Sequence, residues 1–153
     1  MAKYLKEEIA FIQLTTAIEL FNKKNYIPAI TLGSVAEELF SAFLSHYNKA
    51  NNLRIPNRAE LDKGLFDLTK DILGIENYIS YRNRTRNELK HHGSENNKDI
   101  LSGDFKSIAL MHISGAITNY KLRTNKLPKH KIISDFSVFG KATLSTVYKL
   151  LSL

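Results

Sequence analysis

The run Arg86-Asn87-Glu88-Leu89-Lys90-His91, followed by His92 and Gly93, places a permanent cation, a side-chain amide and a titratable imidazole within six residues. A guanidinium neutralises phosphate, and an imidazole moves protons near neutral pH. Together they supply the charge stabilisation and proton transfer that phosphoryl transfer needs, without calling on a metal. No other constellation in the chain suggests chemistry. His46 and His130 have no companion at ligand spacing, and His91 and His92 are adjacent rather than four apart, so no metal site is expected. There is no Gly-rich phosphate loop. Ser34, Ser41 and Ser114 lack the context of a nucleophile elbow. The chain has no cysteine, which excludes thiolate zinc, iron–sulfur clusters, disulfides and a Cys nucleophile. No cofactor is expected.

The elements that would position this run are helical. Ile9, Ile12, Thr16, Ile18, Leu20 and Phe21 mix spacings of three and four, which predicts a helix from about Lys3 to Lys24. Asn22 to Asn25 break it. Pro28 suits the first turn of a second helix, from about Tyr26 to Asn48. There Ala29, Leu32, Ala36, Leu39, Phe40, Phe43 and Tyr47 form a broad apolar arc. Gly33 and Ala36 are small enough for a neighbouring helix to come close. Asn48 to Asn57 reads as a loop, and a third helix follows from about Arg58 to Leu73, ended by Gly74. The fourth helix starts near Ile75 and stops by His92, because Gly93 is a natural C-terminal cap. Ser94 to Asp99 is a polar loop. Ser102 or Asp104 can cap a fifth helix carrying Phe105, Ile108, Ala109, His112, Ala116, Ile117 and Tyr120. Lys121 to Lys131, with Pro128, reads as a linker or frayed end, and Phe136 to Leu153 as a last helix docking on the body. No strand is predicted. The expected fold is all-α, an up-and-down bundle of about five helices, in one domain spanning 1–153 with its core over about 3–124.

On the fourth helix, Ile75, Ile79, Arg82, Arg86 and Leu89 fall on one stripe, so Arg82 and Arg86 extend an apolar face toward the helix C-terminus. A cation there needs a partner or a phosphate. Arg82, Arg84, Arg86, Lys90, His91 and His92 also sit at the negative end of the helix dipole, where cations are favoured without any function. On the second helix Glu37 lies at the edge of the apolar arc and Glu38 on the polar side. Glu37 is therefore expected to point inward and to pair with Arg82 or Arg86, and Glu38 to point outward. His112 falls on the apolar face of the fifth helix and reads as a core histidine. Tyr78 and Tyr81 could stack on a base, although packing is their default role.

The net charge of +7 is uneven. Residues 82–131 hold 11 Lys/Arg against 4 Asp/Glu, whereas residues 1–81 hold 9 against 10. A localised positive field attracts polyanions such as RNA, and it also describes a plain solvated surface. The first residues, with Lys3, Lys6, Glu7 and Glu8, lack the apolar core of a signal peptide, and no apolar run approaches a membrane span. A cytoplasmic protein without a membrane partner is expected.

Arg86-Asn87-x-x-x-His91, late in a long helix of a small bundle, resembles the Arg-polar-x-x-x-His signature of HEPN domains (higher eukaryotes and prokaryotes nucleotide-binding). The stretches Ala17-Ile18-Glu19-Leu20-Phe21 and Tyr26 to Leu39 resemble the second-helix segment of a bacterial group of uncharacterised HEPN-like proteins. The resemblance covers roughly residues 15 to 120. It implies a metal-independent endoribonuclease of a toxin or defence type, acting as a homodimer in which two copies of the motif build one cleft, with a cognate antitoxin protein as partner. In that reading Arg86 polarises the scissile phosphate and His91 is the acid or base for attack by the ribose 2′-OH. Asn87 orients the groups, Glu37 fixes Arg86, and Arg82, Lys90 and His92 contact the RNA. His92 duplicates the histidine, which leaves two candidates for the proton carrier. The alternative is a non-catalytic helical module that dimerises or binds a nucleotide, RNA or protein.

Overall fold

The computed structural model describes residues 3–63, 78–90 and 103–136. Four helices are described there: α1 (Lys6–Asn22), α2 (Tyr26–Asn51), α3 (Tyr78–Lys90) and α4 (Phe105–Thr124). Helical backbone also covers 58–63 and 131–136. The protein is an all-α bundle, and no strand occurs among the described residues. The expected third helix beyond residue 63 lies outside the described residues, as do Gly74, Gly93, the loop 94–99 and the chain after residue 136.

The helix ends explain why the chain turns where it does. At the start of α1 the Leu5 N–H donates to Glu8 Oε2 at 2.8 Å, so Glu8 satisfies a donor that no intrahelical carbonyl reaches. At its end Lys24 takes a left-handed φ of 61°. Its N–H donates to the Phe21 carbonyl, and the Asn25 N–H to that of Leu20, both at 2.9 Å, a Schellman closure made without glycine. α2 runs three residues past the expected Asn48 and stops at Asn52, whose φ is 53°. Asparagine tolerates this region better than most side chains, and Asn125 (φ 54°) ends α4 in the same way. The basic stretch after Lys121 is therefore not a free linker. Lys121 to Thr124 belong to α4, Pro128 is buried, and helical backbone resumes at 131, ahead of the expected Phe136.

α2 is the central helix, packed along both α1 and α4. Its buried face is Ala29, Ile30, Gly33, Ser34, Ala36, Glu37, Phe40 and Leu44. A Cβ placed on Gly33 would lie 3.2 Å from Ile113 Cγ1 and 3.5 Å from His112 Cβ, so the missing side chain sets how near α4 comes. Tyr47, expected on the arc, is 38% exposed, because the last turns of α2 run past the body of α1 and α4. By length and composition α2 is apolar enough to cross a membrane, contrary to the sequence expectation; here its apolar surface faces the bundle core.

α1 buries a face of mixed bulk. The buried set is Ala10, Leu14, Ala17, Ile18 and Phe21, while Ile9 and Ile12 are 36% and 52% exposed. Two alanines occupy the contact with α2, where close approach gains more than bulk. α1 carries apolar residues around most of its circumference, so their spacing does not single out the contact face. Phe11 reaches over the core edge to Phe40 and Tyr120, with ring centroids 5.1 and 5.2 Å apart in edge-to-face geometry.

Of the two expected caps for the fifth helix, Asp104 holds it. Its Oδ1 accepts from the Ser107 N–H at 3.1 Å and its Oδ2 from the Ser107 hydroxyl at 2.6 Å. The Ser107 hydroxyl, then its N–H, hold the Asp104 carboxyl below its usual pKa. Folding lowers this pKa, so the cap contributes fully above the unfolded value near about pH 4 and is lost as pH falls through the folded value. Asp104→Ala is expected to lower stability by about 1 kcal/mol at neutral pH. Urea unfolding of both proteins should show that gap narrowing as the solution is acidified below about pH 4.

Candidate functional site around Arg86 and the α2 acid pair

α3 meets the bundle through Thr85, Arg86 and Leu89. Thr85 is buried, the Arg86 side chain is 21% exposed, and Leu89 is partly buried against the core. Arg86 thus faces inward, as its stripe predicts. Its guanidinium enters through Nη1, which donates to Glu38 Oε1, while Nη2 reaches Asn87 Oδ1 at 3.4 Å, a weak contact. Arg86 Nε is buried and has no hydrogen-bond partner among the described residues. Arg84, one residue from this face, points outward and pairs with Glu88 at 2.8 Å, which raises its pKa further.

Arg86 is met by Glu38, and the expected alternative, Glu37 with Arg82, lies outside the described residues. Glu37 does point inward, with 7% of the residue exposed, and Glu38 does face outward, with half its side chain exposed. The inward acid, however, meets α4: His112 Nδ1 lies 2.8 Å from Glu37 Oε2. Successive residues of a helix point about 100° apart, so α2 directs Glu37 to α4 and Glu38 to α3. Arg86 meets the outward acid at the rim of the bundle.

His112 is fully buried. With Nδ1 turned to Glu37, its Nε2 is buried without a hydrogen-bond partner among the described residues. The surrounding polar groups tie helices together. Asn119 Nδ2 donates to the Glu37 carbonyl at 3.4 Å, and Asn119 Oδ1 accepts from the Arg58 N–H at 2.7 Å. Arg58 also bonds Asp62 and, at 3.3 Å, Thr118. Sequence reading missed Asn119, Arg58 and the pairing of His112. The available signal was that Glu37 and His112 are an acid and a base on two apolar arcs, and burial obliges such groups to find partners.

Of the sequence-predicted site residues, Arg86 and Asn87 come together at the α3–α2 contact, where Glu38, given no role by the sequence, joins them, and Glu37 faces α4 one residue away. The side chains of Arg82 and Lys90, and the whole of His91 and His92, lie outside the described residues. The basic character of 82–131 is partly neutralised, since Arg86, Arg84 and Lys131 each pair with an acid. Arg123 pairs with Glu7 and lies over the Phe43 and Tyr120 rings, 5.5 and 5.6 Å from their centroids, so it clamps α4 to α1. No group of three or more metal-ligating side chains occurs among the described residues. No protein-family model, curated protein or solved structure matches the chain.

A double-mutant cycle distinguishes the two acids. Glu37 and His112, substituted singly and together with leucine, are expected to couple by about 1–3 kcal/mol in urea unfolding. The single changes should each cost about 3 kcal/mol or more, because each leaves a buried polar group without its partner. Glu37 with Arg86 should couple by less than about 0.5 kcal/mol. The reverse ranking would restore Glu37 as the Arg86 partner.

Proposed function

We propose that the chain is an RNA-directed, HEPN-like protein: a metal-independent endoribonuclease of a toxin or defence type, acting in the cytoplasm as a homodimer and controlled by a cognate antitoxin. The observation that supports this reading best is the placement of Arg86. A cation stands partly buried at the junction of α3 and α2, beside the Asn87 amide and five residues before His91. A phosphate bound there would meet a guanidinium with unused donors, and a base from the following turn would complete the acid–base chemistry. Arg86 takes the role of phosphate ligand, Asn87 that of orienting group, and His91, or His92 in its place, that of proton carrier. Glu38 replaces Glu37 as the residue that braces Arg86. Arg82, Lys90 and the duplicate histidine flank the path of the RNA.

One observation favours a second reading. Arg86 already has an acidic partner, and that contact joins α3 to α2. In a non-catalytic dimerisation or binding module this would be its whole purpose.

Cleavage of a labelled RNA pool in EDTA separates the two readings. Wild-type protein is expected to leave 2′,3′-cyclic phosphate ends, with Arg86→Ala and His91→Ala each slower by at least about a hundredfold. Loss of fold is monitored by helicity and thermal midpoint. Cleavage by His91→Ala at the wild-type rate, with His92 also replaced, would refute the catalytic assignment. Absence of cleavage by the wild type, with a lower thermal midpoint for Arg86→Ala, would establish the structural role instead.

A further inference from the structure

Away from Arg86, the C-terminal half of α2 forms one wall of an open cavity of about 470 Å³, within the range of small-ligand sites. Its opposite wall is the segment from Arg54 to Glu60. This segment is fastened in place: Asn48 Nδ2 donates to the Ile55 carbonyl at 2.8 Å, and the Ile55 N–H donates to Asn48 Oδ1 at 3.3 Å. The helical turn at 58–63 begins with a reciprocal cap. Asn57 Oδ1 accepts from the Glu60 N–H at 3.0 Å, and Glu60 Oε2 from the Asn57 N–H at 2.8 Å. The cavity wall is therefore preorganised on both sides.

Two opposite charges line this cavity without meeting. Arg54 and Glu60 form no ion pair with each other, and the cap occupies only one of the two Glu60 oxygens. Leu44 and Ile55 give the same cavity apolar lining, and Ser41 and Ser45 give it hydroxyls. Other helical hydroxyls, such as Thr15, Ser114 and Thr124, turn back onto the carbonyl four residues earlier. Those of Ser41 and Ser45 make no such bond among the described residues. An anion alone would face the Glu60 carboxylate, and a cation alone would face Arg54. A ligand carrying both charges on an apolar body satisfies each wall.

We propose that this cavity binds a small zwitterion of the amino-acid type. Its carboxylate meets the Arg54 guanidinium, its ammonium meets Glu60 Oε1, and its apolar side chain rests on Leu44 and Ile55. Ser41 and Ser45 supply further hydrogen bonds to the carboxylate. Free amino acids and the ends of short peptides share this chemistry.

Calorimetric titration of the full chain with L-leucine and with leucyl-leucine tests the site, each beside its N-acetyl and carboxamide forms. At least one unblocked ligand is expected to bind in the millimolar range or tighter, with either blocked form about tenfold weaker. Tighter binding of leucine identifies the free amino acid as the source, and tighter binding of leucyl-leucine the peptide. Arg54→Gln and Glu60→Gln should each reproduce the tenfold loss at unchanged thermal midpoint, since glutamine at position 60 retains the capping acceptor. Absence of binding by either ligand overturns the proposal, as does binding indifferent to blocking an end. RNA cleavage does not enter this test, so its result stands apart from the role of Arg86.

Discussion

The close approach of α2 and α4 at Gly33 is the constraint on which the rest of the bundle depends. With no Cβ at 33, Ile113 and His112 come down onto the α2 backbone. One turn along α2 from Gly33, the buried Glu37 meets His112 of α4. Fixing Glu37 toward α4 fixes the rotation of α2 about its axis. That rotation in turn delivers Glu38 to the rim where α3 crosses, and Ser41, Ser45 and Asn48 to the wall of the cavity. The same register carries Asn119 to the start of the helical turn at 58. A polar layer inside an otherwise apolar contact thus selects one arrangement among the many that aliphatic packing alone would tolerate.

Much of this was legible in the sequence, and the remainder fails for identifiable reasons. The breaks at Asn22–Asn25, the start at Tyr26, the Asp104 cap and the small residues of α2 follow from local chemistry, which the sequence states directly. The inward Glu37 and outward Glu38 follow from the wheel of one helix. Their partners do not, because a partner depends on the offset between two helices, and no local pattern encodes it. The buried face of α1 was not legible for a related reason: Ala10 and Ala17 are buried, whereas Ile9 and Ile12 are more hydrophobic yet exposed. Ranking residues by apolarity favours bulk, but helix pairs that pack closely select small side chains.

The two ends of the basic segment show how charge counts mislead. The sequence excess over 82–131 suggests a continuous positive surface. Arg123 is instead drawn over two aromatic rings and onto Glu7, and the cations of Arg84 and Lys131 are met by acids four residues along their own helices. Such exposed pairs contribute little to stability, but they reduce the field available to a distant polyanion. Whatever anion the protein attracts must be held by local groups more than by overall charge.

That argument bears directly on Arg86. Its pairing with Glu38 is half open to water on the acid side, where a competing anion in the proposed function would arrive. A phosphate offers two charge-assisted bonds to the guanidinium and more negative charge than the carboxylate it would replace. The buried Nε, which Glu38 leaves without a partner, marks the donor such a ligand could gain. Arg123, which clamps α4 to α1, likewise keeps a buried Nε without a hydrogen-bond partner, so it is the position of Arg86 beside Asn87, and not the spare donor alone, that supports the proposed role. Arg86 holds α3 to α2 with part of its guanidinium and keeps one donor unused, which joins its packing role and its proposed chemistry in a single side chain.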